Sequence, residues 1–374
     1  MNFSLLIKPA SADCNLNCTY CFYLDRANLY PEYGVHRMQD NVLERVVRSY
    51  LETAQPVHAF VWQGGEPLLM GPAFFERATD LQMAYARAGA DISNAVQTNG
   101  TLLTDRLARQ FKAYRFLTGV SLDGPAALHD ASRRDHADLG SHQRVMDGLA
   151  CLKRNQAEFN ILTLVSASNA DYPREVYDYL VQDVGAKFLQ FIECVEWAGE
   201  GSMAPYCVTP AQWGRFLCEV FDRWFERDTR SVSVRLFDTL LAKLVTGRDI
   251  CCTGGLDCRQ YFVVEFNGDV YPCDFHVLPE LKLGNVFTHT WEEMAQSEAF
   301  AHFGARKRST HSACAACPYF RFCAGDCPKN RAGPRGAADS LSYLCTGWRQ
   351  FYAHAMPRLE TLAKTVRAEH KRNA

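Results

Sequence analysis

The chain has 374 residues, with 40 basic and 42 acidic side chains and sixteen cysteines; it is long enough to bury about three quarters of its unfolded surface without disulfide staples and to form roughly two to three domains. The near balance of charge argues against a nucleic-acid footprint or an anionic-membrane anchor, and neither a run of ~20 apolar residues nor a signal-peptide core is present, so the expected location is the cytoplasm, in a setting poor in oxygen. Cysteine is about 4% of the chain, well under the roughly 8–10% of a short secreted disulfide scaffold, which points to metal or redox use.

Up to about residue 200, short β-branched or aromatic runs alternate with amphipathic stretches, the pattern of strand–helix units around a parallel sheet. Strands are expected at 4–7, 59–62, 94–97, 117–121, 160–166 and 188–192. Helices are expected at 40–53, 72–88, 104–113, 141–155 and 172–183, with Asp40, Thr104 and Ser141 as N-caps. Turn residues follow several strands: 63–67, Thr98-Asn99-Gly100 and Asp123-Gly124-Pro125. In a barrel of parallel strands such loops gather on the ligand-binding face, which would bring Cys14, Gly64, Asn99 and Asp123 together. Beyond Pro210, a helix at 212–225 leads through 232–244 into a Cys-, Gly- and Pro-rich region. There Asn267-Gly268, between apolar runs, predicts a two-residue hairpin loop, and Arg306-Lys307-Arg308 reads as a solvated helix end. The stretch 346–371 reads as one closing helix. There is no repeat at a period of 20–50 residues and no low-complexity segment.

Cys14, Cys18 and Cys21 follow the first apolar run in the pattern Cys-x3-Cys-x-Tyr-Cys. Three thiolates hold a four-iron cluster and leave one iron without a protein ligand, able to bind and reduce a small molecule. A zinc knuckle with a distant fourth ligand is the competing reading. Further on, Cys252, Cys258 and Cys273 precede Cys314-x2-Cys317-x5-Cys323-x3-Cys327, and Cys345 follows. Eight sulfurs make two complete four-thiolate sites, for which clusters, structural zinc and disulfides are the candidate uses. Cys251 is able to replace Cys252. Cys151, Cys194, Cys207 and Cys218 read as small buried apolar residues.

With Gly64-Gly65-Glu66-Pro67 at its spacing after Cys14-Asn-Leu-Asn-Cys18-Thr-Tyr-Cys21, the text resembles the radical S-adenosylmethionine enzymes. Leu6-Ile-Lys-Pro-Ala-Ser11, Phe22-Tyr23, Gln63-Gly-Gly-Glu-Pro67, Gln97-Thr-Asn-Gly-Thr101, Ser121-Leu-Asp-Gly-Pro125, Phe188-Leu-Gln-Phe191 and Tyr271-Pro-Cys-Asp-Phe275 extend the likeness over nearly the whole chain. Those segments resemble the anaerobic sulfatase-maturating enzymes. The resemblance implies an α/β fold: a partial (β/α)6 TIM-like barrel over 1–235, a Cys-rich SPASM domain over 236–345 and a closing helix over 346–374.

The same resemblance implies S-adenosylmethionine and three [4Fe-4S] clusters as cofactors. Cys14, Cys18 and Cys21 would hold the barrel cluster; Cys252, Cys258, Cys273 and Cys327 one auxiliary cluster; and Cys314, Cys317, Cys323 and Cys345 the other. Gly64, Gly65 and Glu66 would meet the cofactor's amino group and Ser121 and Arg133 its carboxylate, with Tyr23 and Gln63 lining the pocket. Arg133 has the bidentate fork an anion favours; a surface arginine is its alternative. The implied activity is that of a radical oxidoreductase that converts a Cys or Ser side chain of a sulfatase to Cα-formylglycine through a 5'-deoxyadenosyl radical. Asp274 would accept the proton, the auxiliary clusters the second electron, and a flavodoxin or ferredoxin would be the one-electron donor. A related enzyme that crosslinks a ribosomal precursor peptide is the alternative. It would commonly carry an N-terminal peptide-binding domain, for which a first strand within about six residues of Met1 is expected to leave no room. An iron-sulfur electron-transfer scaffold without radical chemistry is the third reading.

Overall fold

The computed structural model describes residues 2–198, 201–331 and 339–373. Each predicted strand is present: β1 (Ser4–Lys8), β2 (His58–Trp62), β3 (Ile92–Thr98), β4 (Leu117–Ser121), β5 (Phe159–Val165) and β6 (Phe188–Glu193). Helices Asp40–Leu51, Pro72–Tyr85, Asp105–Ala113 and His142–Arg154 alternate with the first five. The Asp40–Leu51 helix shows why they form: Val42, Leu43, Val46, Val47, Tyr50 and Leu51 recur at helical spacing and are all buried, so packing on the sheet supplies what propensity alone would not.

The helix starts differ in part from expectation. Asp40 is the first helical residue and Gln39 occupies the cap position. Thr104 does cap its helix, accepting from the Leu107 amide. Ser141 sits at the cap position in a helical backbone conformation and makes no capping hydrogen bond; its hydroxyl donates to the Arg133 carbonyl at 2.8 Å. The 172–183 stretch runs as an α-helix over Pro173–Asp178 and then widens into a π turn, Tyr179–Asp183.

The chain forms two compact units. The first comprises 1–122, 133–160 and 258–304. In it β1, β2, β3 and β4 run parallel in sequence order. Strand Tyr261–Glu265 pairs with the other side of β1, also parallel, from Ser4↔Tyr261 to Lys8↔Glu265. The Cys-rich region thus lends a strand to the sheet that carries the first cysteine loop. Tyr261–Glu265 turns back antiparallel into Asp269–Tyr271, with Val264 opposite Val270. The loop is longer than the two residues predicted. Of the loop's Asn and Gly only Gly268 has positive φ (86°), whereas a two-residue Asn-Gly turn needs both residues there; Phe266, Asn267 and Gly268 make a three-residue loop with a left-handed final glycine instead.

The second unit comprises 123–132, 161–257 and 305–374. β5 pairs with β6, and β6 with a two-residue strand, Ser233–Val234, all parallel. The helix expected at 212–225 begins earlier, at Pro210, because Thr209 and Gln212 form a reciprocal capping box ahead of it. It packs on the closing helix, Cys345–Asn373. A Cβ on Gly347 would lie 2.2 Å from the Pro210 carbonyl oxygen, so the two helices meet backbone to backbone. Arg306-Lys307-Arg308 is not a solvated run: Lys307 is 1% exposed. Its ammonium donates to the Thr253 and Asp326 carbonyls at 2.9 and 3.3 Å, acceptors that a charge count cannot reveal. Among the described residues no helix is long and apolar enough to cross a membrane.

Candidate active site

The cysteine loop leaves the end of β1 and is strapped down by the loop after β2. The Gly65 amide donates to the Ser11 carbonyl and the Glu66 amide to the Asp13 carbonyl, both at 2.8 Å. A Cβ on Gly65 would stand 2.1 Å from the Asp13 oxygen, and one on Gly64 2.5 Å from the Ser11 oxygen. Glycine is required at both positions because two backbones touch there. Glu66 is fully buried and accepts from Thr98 Oγ1 (2.7 Å), the Asn99 amide (2.7 Å) and the Leu68 amide (2.9 Å). Burial pushes its carboxyl up to about 7 against the pull of these donors. Its side chain thus fastens the loops after β2 and β3 to each other.

Asn99, at the end of β3, reaches the cysteine loop itself. Its amide nitrogen donates to Asn15 Oδ1 at 2.9 Å and approaches Cys14 Sγ at 3.6 Å. Asn15 in turn donates to Thr101 Oγ1 at 2.8 Å, and Thr101 to Asn99 Oδ1 at 2.7 Å. From the other side Leu16 bridges to Asp135, and His136 Nε2 lies 3.1 Å from the Cys14 carbonyl oxygen. Just before Cys14, Asp13 holds His36 Nδ1 and Arg37 Nη1, each at 2.7 Å. Burial would raise the Asp13 carboxyl, but the His36 and Arg37 hydrogen bonds prevail and hold it low.

Burial, then the Glu66 carboxylate, push the Cys14 thiol up to about 12, and the charges of Cys18 and Cys21 add to the rise. A sulfur so placed carries no thiolate at neutral pH without a cation beside it. With Cys18 and Cys21 on the same loop, Cys14 fits a site that binds a cationic group through several sulfurs.

Ser121, at the end of β4, accepts from Gln97 Nε2 at 3.1 Å. Arg133 is half-buried, its guanidinium 5.5 Å from the Tyr20 ring centroid on the cysteine loop. Asp123 anchors the second unit, accepting from the Leu164 amide at 3.0 Å.

Asp274 is 4% exposed. Its Oδ2 accepts from the Tyr23 hydroxyl and from Gln63 Nε2 at 3.2 Å. Among the described residues its Oδ1 has no hydrogen-bond partner, and it lies 3.9 Å from Lys8 Nζ. Lys8, 1% exposed, is paired with the fully buried Glu265 at 2.6 Å. Burial, then the Asp274 charge, push the Tyr23 phenol far up, so it remains a donor. Arg26 Nη1 holds the Asp274 carbonyl at 2.9 Å. Tyr23, Gln63 and Asp274 thus converge, and Asn99 meets the Cys14 loop, as its place after a strand led one to expect, whereas Lys8 and Asp13 were missed as site residues. Both lie in or beside the motif text, which was their only signal.

In the first unit burial pushes Cys273 up to about 11; the Tyr261 hydroxyl at 3.3 Å opposes this, and the Asp274 and Cys258 charges add to it. In the second unit hydrogen bonding to Cys251, burial and the charges of Cys251 and Cys327 raise the Cys252 thiol. Cys251 lies 3.3 Å from Thr253 Oγ1. Cys314, Cys317, Cys323 and Cys345 line one cavity of about 180 Å³, walled by Trp348 and Tyr352. Burial and then Asp326 push Cys323 up to about 12, so a thiolate at this position needs a cation beside it. Among the described residues no group of three or more His, Cys, Asp or Glu is placed to hold a single metal ion. Of the remaining cysteines, Cys194, Cys207 and Cys218 are buried as expected, while Cys151 is half-buried.

Residues 9–180 match the Radical SAM superfamily and residues 252–318 an iron-sulfur cluster-binding domain, SPASM. Fold and site together define a radical S-adenosylmethionine enzyme with additional iron-sulfur clusters. The serine-type anaerobic sulfatase-maturating enzyme of Bacteroides thetaiotaomicron is 38% identical, over 97% of this chain and 91% of its own. The cysteine-type enzyme of Clostridium perfringens is 37% identical, over 97% of this chain and 99% of its own. A solved structure of native anSMEcpe with bound AdoMet and Kp18Cys peptide has a TM-score of 0.91 at 36% identity, covering 98% of this chain and all of that one. The chain belongs to the anaerobic sulfatase-maturating enzymes and has their α/β fold, a partial (β/α)6 barrel with a Cys-rich SPASM domain.

Proposed function

We propose that this enzyme oxidises a Cys or Ser side chain of a sulfatase polypeptide to Cα-formylglycine, with Asp274 accepting the proton that the thiol or hydroxyl loses. The supporting observation is the asymmetry of the Asp274 carboxylate, one oxygen held by Tyr23 and Gln63 and the other buried without a hydrogen-bond partner among the described residues. A buried oxygen left bare is costly in the resting protein, and a substrate S–H or O–H is a donor that would satisfy it.

Cys14, Cys18 and Cys21 are assigned to the barrel cluster, and the two C-terminal sets of four to the auxiliary clusters. When bound, the barrel cluster and S-adenosylmethionine would supply a 5'-deoxyadenosyl radical able to take a hydrogen atom from the substrate β-carbon, and the auxiliary clusters would supply an acceptor for the second electron. The protein's own part is placement. Gly64, Gly65 and Glu66 would present backbone to the cofactor's amino group, since the Glu66 carboxylate is committed to Thr98, Asn99 and Leu68. Ser121 and Arg133 would meet its carboxylate. Tyr23 and Gln63 fix the Asp274 rotamer, and the Lys8 ammonium stands 3.9 Å from its other oxygen. We place the reaction in the cytoplasm, with a flavodoxin or ferredoxin supplying the priming electron.

Asp274→Asn tests the assignment. It should still yield 5'-deoxyadenosine under reducing anaerobic conditions, while formylglycine falls by roughly 10²-fold or more, in the range of general-base contributions. An unchanged formylglycine yield would remove Asp274 from the mechanism.

A further inference from the structure

We infer that Lys307 sets the reduction potential of the auxiliary cluster to which Cys252 and Cys327 are assigned; the inference rests on that ligand assignment. Lys307 follows the helix Glu298–Ala305. Its Nζ donates at 2.9 Å to the carbonyl of Thr253, the residue after Cys252, and at 3.3 Å to the carbonyl of Asp326, the residue before Cys327. One ammonium thus clasps the two ligand-bearing segments. Lys307 is held there in turn: its own carbonyl accepts from Arg331 Nη2 at 3.1 Å, and Arg331, fully buried, also donates to the carbonyls of Gly325, Arg306 and Ser309.

The segment so gripped is unusual. Ala324, Gly325 and Asp326 take positive φ in succession (48°, 75° and 63°). Non-glycine residues hold that conformation where their surroundings over-determine it. Neutral donors would meet the same carbonyls at less desolvation cost, yet the residue is a lysine, and among the described residues no carboxylate lies within ion-pair distance of it. A buried ammonium needs a negative counterpart. A thiolate-ligated cluster, net negative and more so once reduced, is that counterpart, and the cation favours the reduced form. The potential is therefore raised toward that of a better electron acceptor, which is the task the proposed oxidation sets.

The test uses full-length protein with Cys14, Cys18 and Cys21 changed to Ala, so that only auxiliary clusters remain, examined by iron analysis and EPR-monitored redox titration. Lys307→Met should keep its iron and move one of the two auxiliary potentials negative by at least a tenfold change in the one-electron equilibrium constant, about 59 mV. The other potential should stay in place, and Lys307→Arg should restore the first. Unmoved potentials in an iron-replete Lys307→Met protein overturn the inference, as does an equal shift of both. If Lys307→Met loads poorly, Lys307→Gln must show the shift; loss of iron from both neutral variants makes Lys307 an assembly residue and overturns tuning. A background protein that binds no auxiliary cluster refutes the ligand assignment instead, and iron analysis tells the two failures apart.

Discussion

The Tyr23 hydroxyl donates to Asp274 Oδ2, across 251 residues of sequence, and leaves Oδ1, 3.9 Å from Lys8, as a buried acceptor without a hydrogen-bond partner among the described residues. Tyr23 stands two residues after Cys21 and Asp274 one after Cys273, so this single hydrogen bond joins two of the cysteine segments. The paired strands bring it about: Lys8 ends β1 opposite Glu265, at the end of the neighbouring strand, and that strand returns antiparallel as Asp269–Tyr271, three residues before Asp274.

Tyr23→Phe keeps the ring and removes the donor. Peptide oxidation is expected to fall about tenfold to a hundredfold while cofactor cleavage continues, so the ratio of 5'-deoxyadenosine to formylglycine should rise. An unchanged ratio would show that Asp274 needs no fixed rotamer.

Gly65→Ala places a methyl 2.1 Å from the Asp13 carbonyl oxygen. Backbone does not yield as a side-chain tip does, and the expected cost is about 3 kcal/mol, the upper end of overpacking losses. The strain falls on the cysteine loop, so iron analysis and EPR should show the barrel cluster lost and the auxiliary clusters retained.

Asn99→Ala removes the donor that approaches Cys14 Sγ at 3.6 Å and opens the Asn15–Thr101 clasp. A donor to a ligand sulfur raises a cluster's potential, so the variant's barrel cluster should titrate at a more negative potential. Redox titration in a background lacking the auxiliary ligands reads this directly.

Asp13 contributes stability of a definite pH dependence. Its carboxyl is held low by His36 and Arg37 against the effect of burial, so its contribution is full above the unfolded value near 4 and is lost as pH falls through the lower folded value. Asp13→Asn should lower stability by about 1–2 kcal/mol at neutral pH, and the gap between wild type and variant in denaturant melts should narrow toward acid. A gap that widens toward acid would contradict the assignment.

The strands were legible because β-branched and aromatic runs carry their own signal; Leu117–Ser121 has the predicted bounds. The need for glycine at Gly64 and Gly65 was legible because two backbones touch there, whereas Asp274 came from the family resemblance and not from any local pattern. Lys8 was not, since its partner Glu265 lies 257 residues away and meets it only through the β1 pairing. Lys307 was misread because its acceptors are backbone carbonyls, which every residue has. The strand Tyr261–Glu265 was read as a hairpin arm alone, since no local pattern tells which edge a strand joins.

The most direct test of the account is anaerobic incubation of reduced enzyme with S-adenosylmethionine and two sulfatase-motif peptides, one bearing Cys and one Ser at the target position, read by mass spectrometry. Formylglycine in at least one peptide, formed together with 5'-deoxyadenosine and abolished by Cys14→Ala, is the predicted result. 5'-Deoxyadenosine without aldehyde in either peptide, or aldehyde that survives Cys14→Ala, would contradict it.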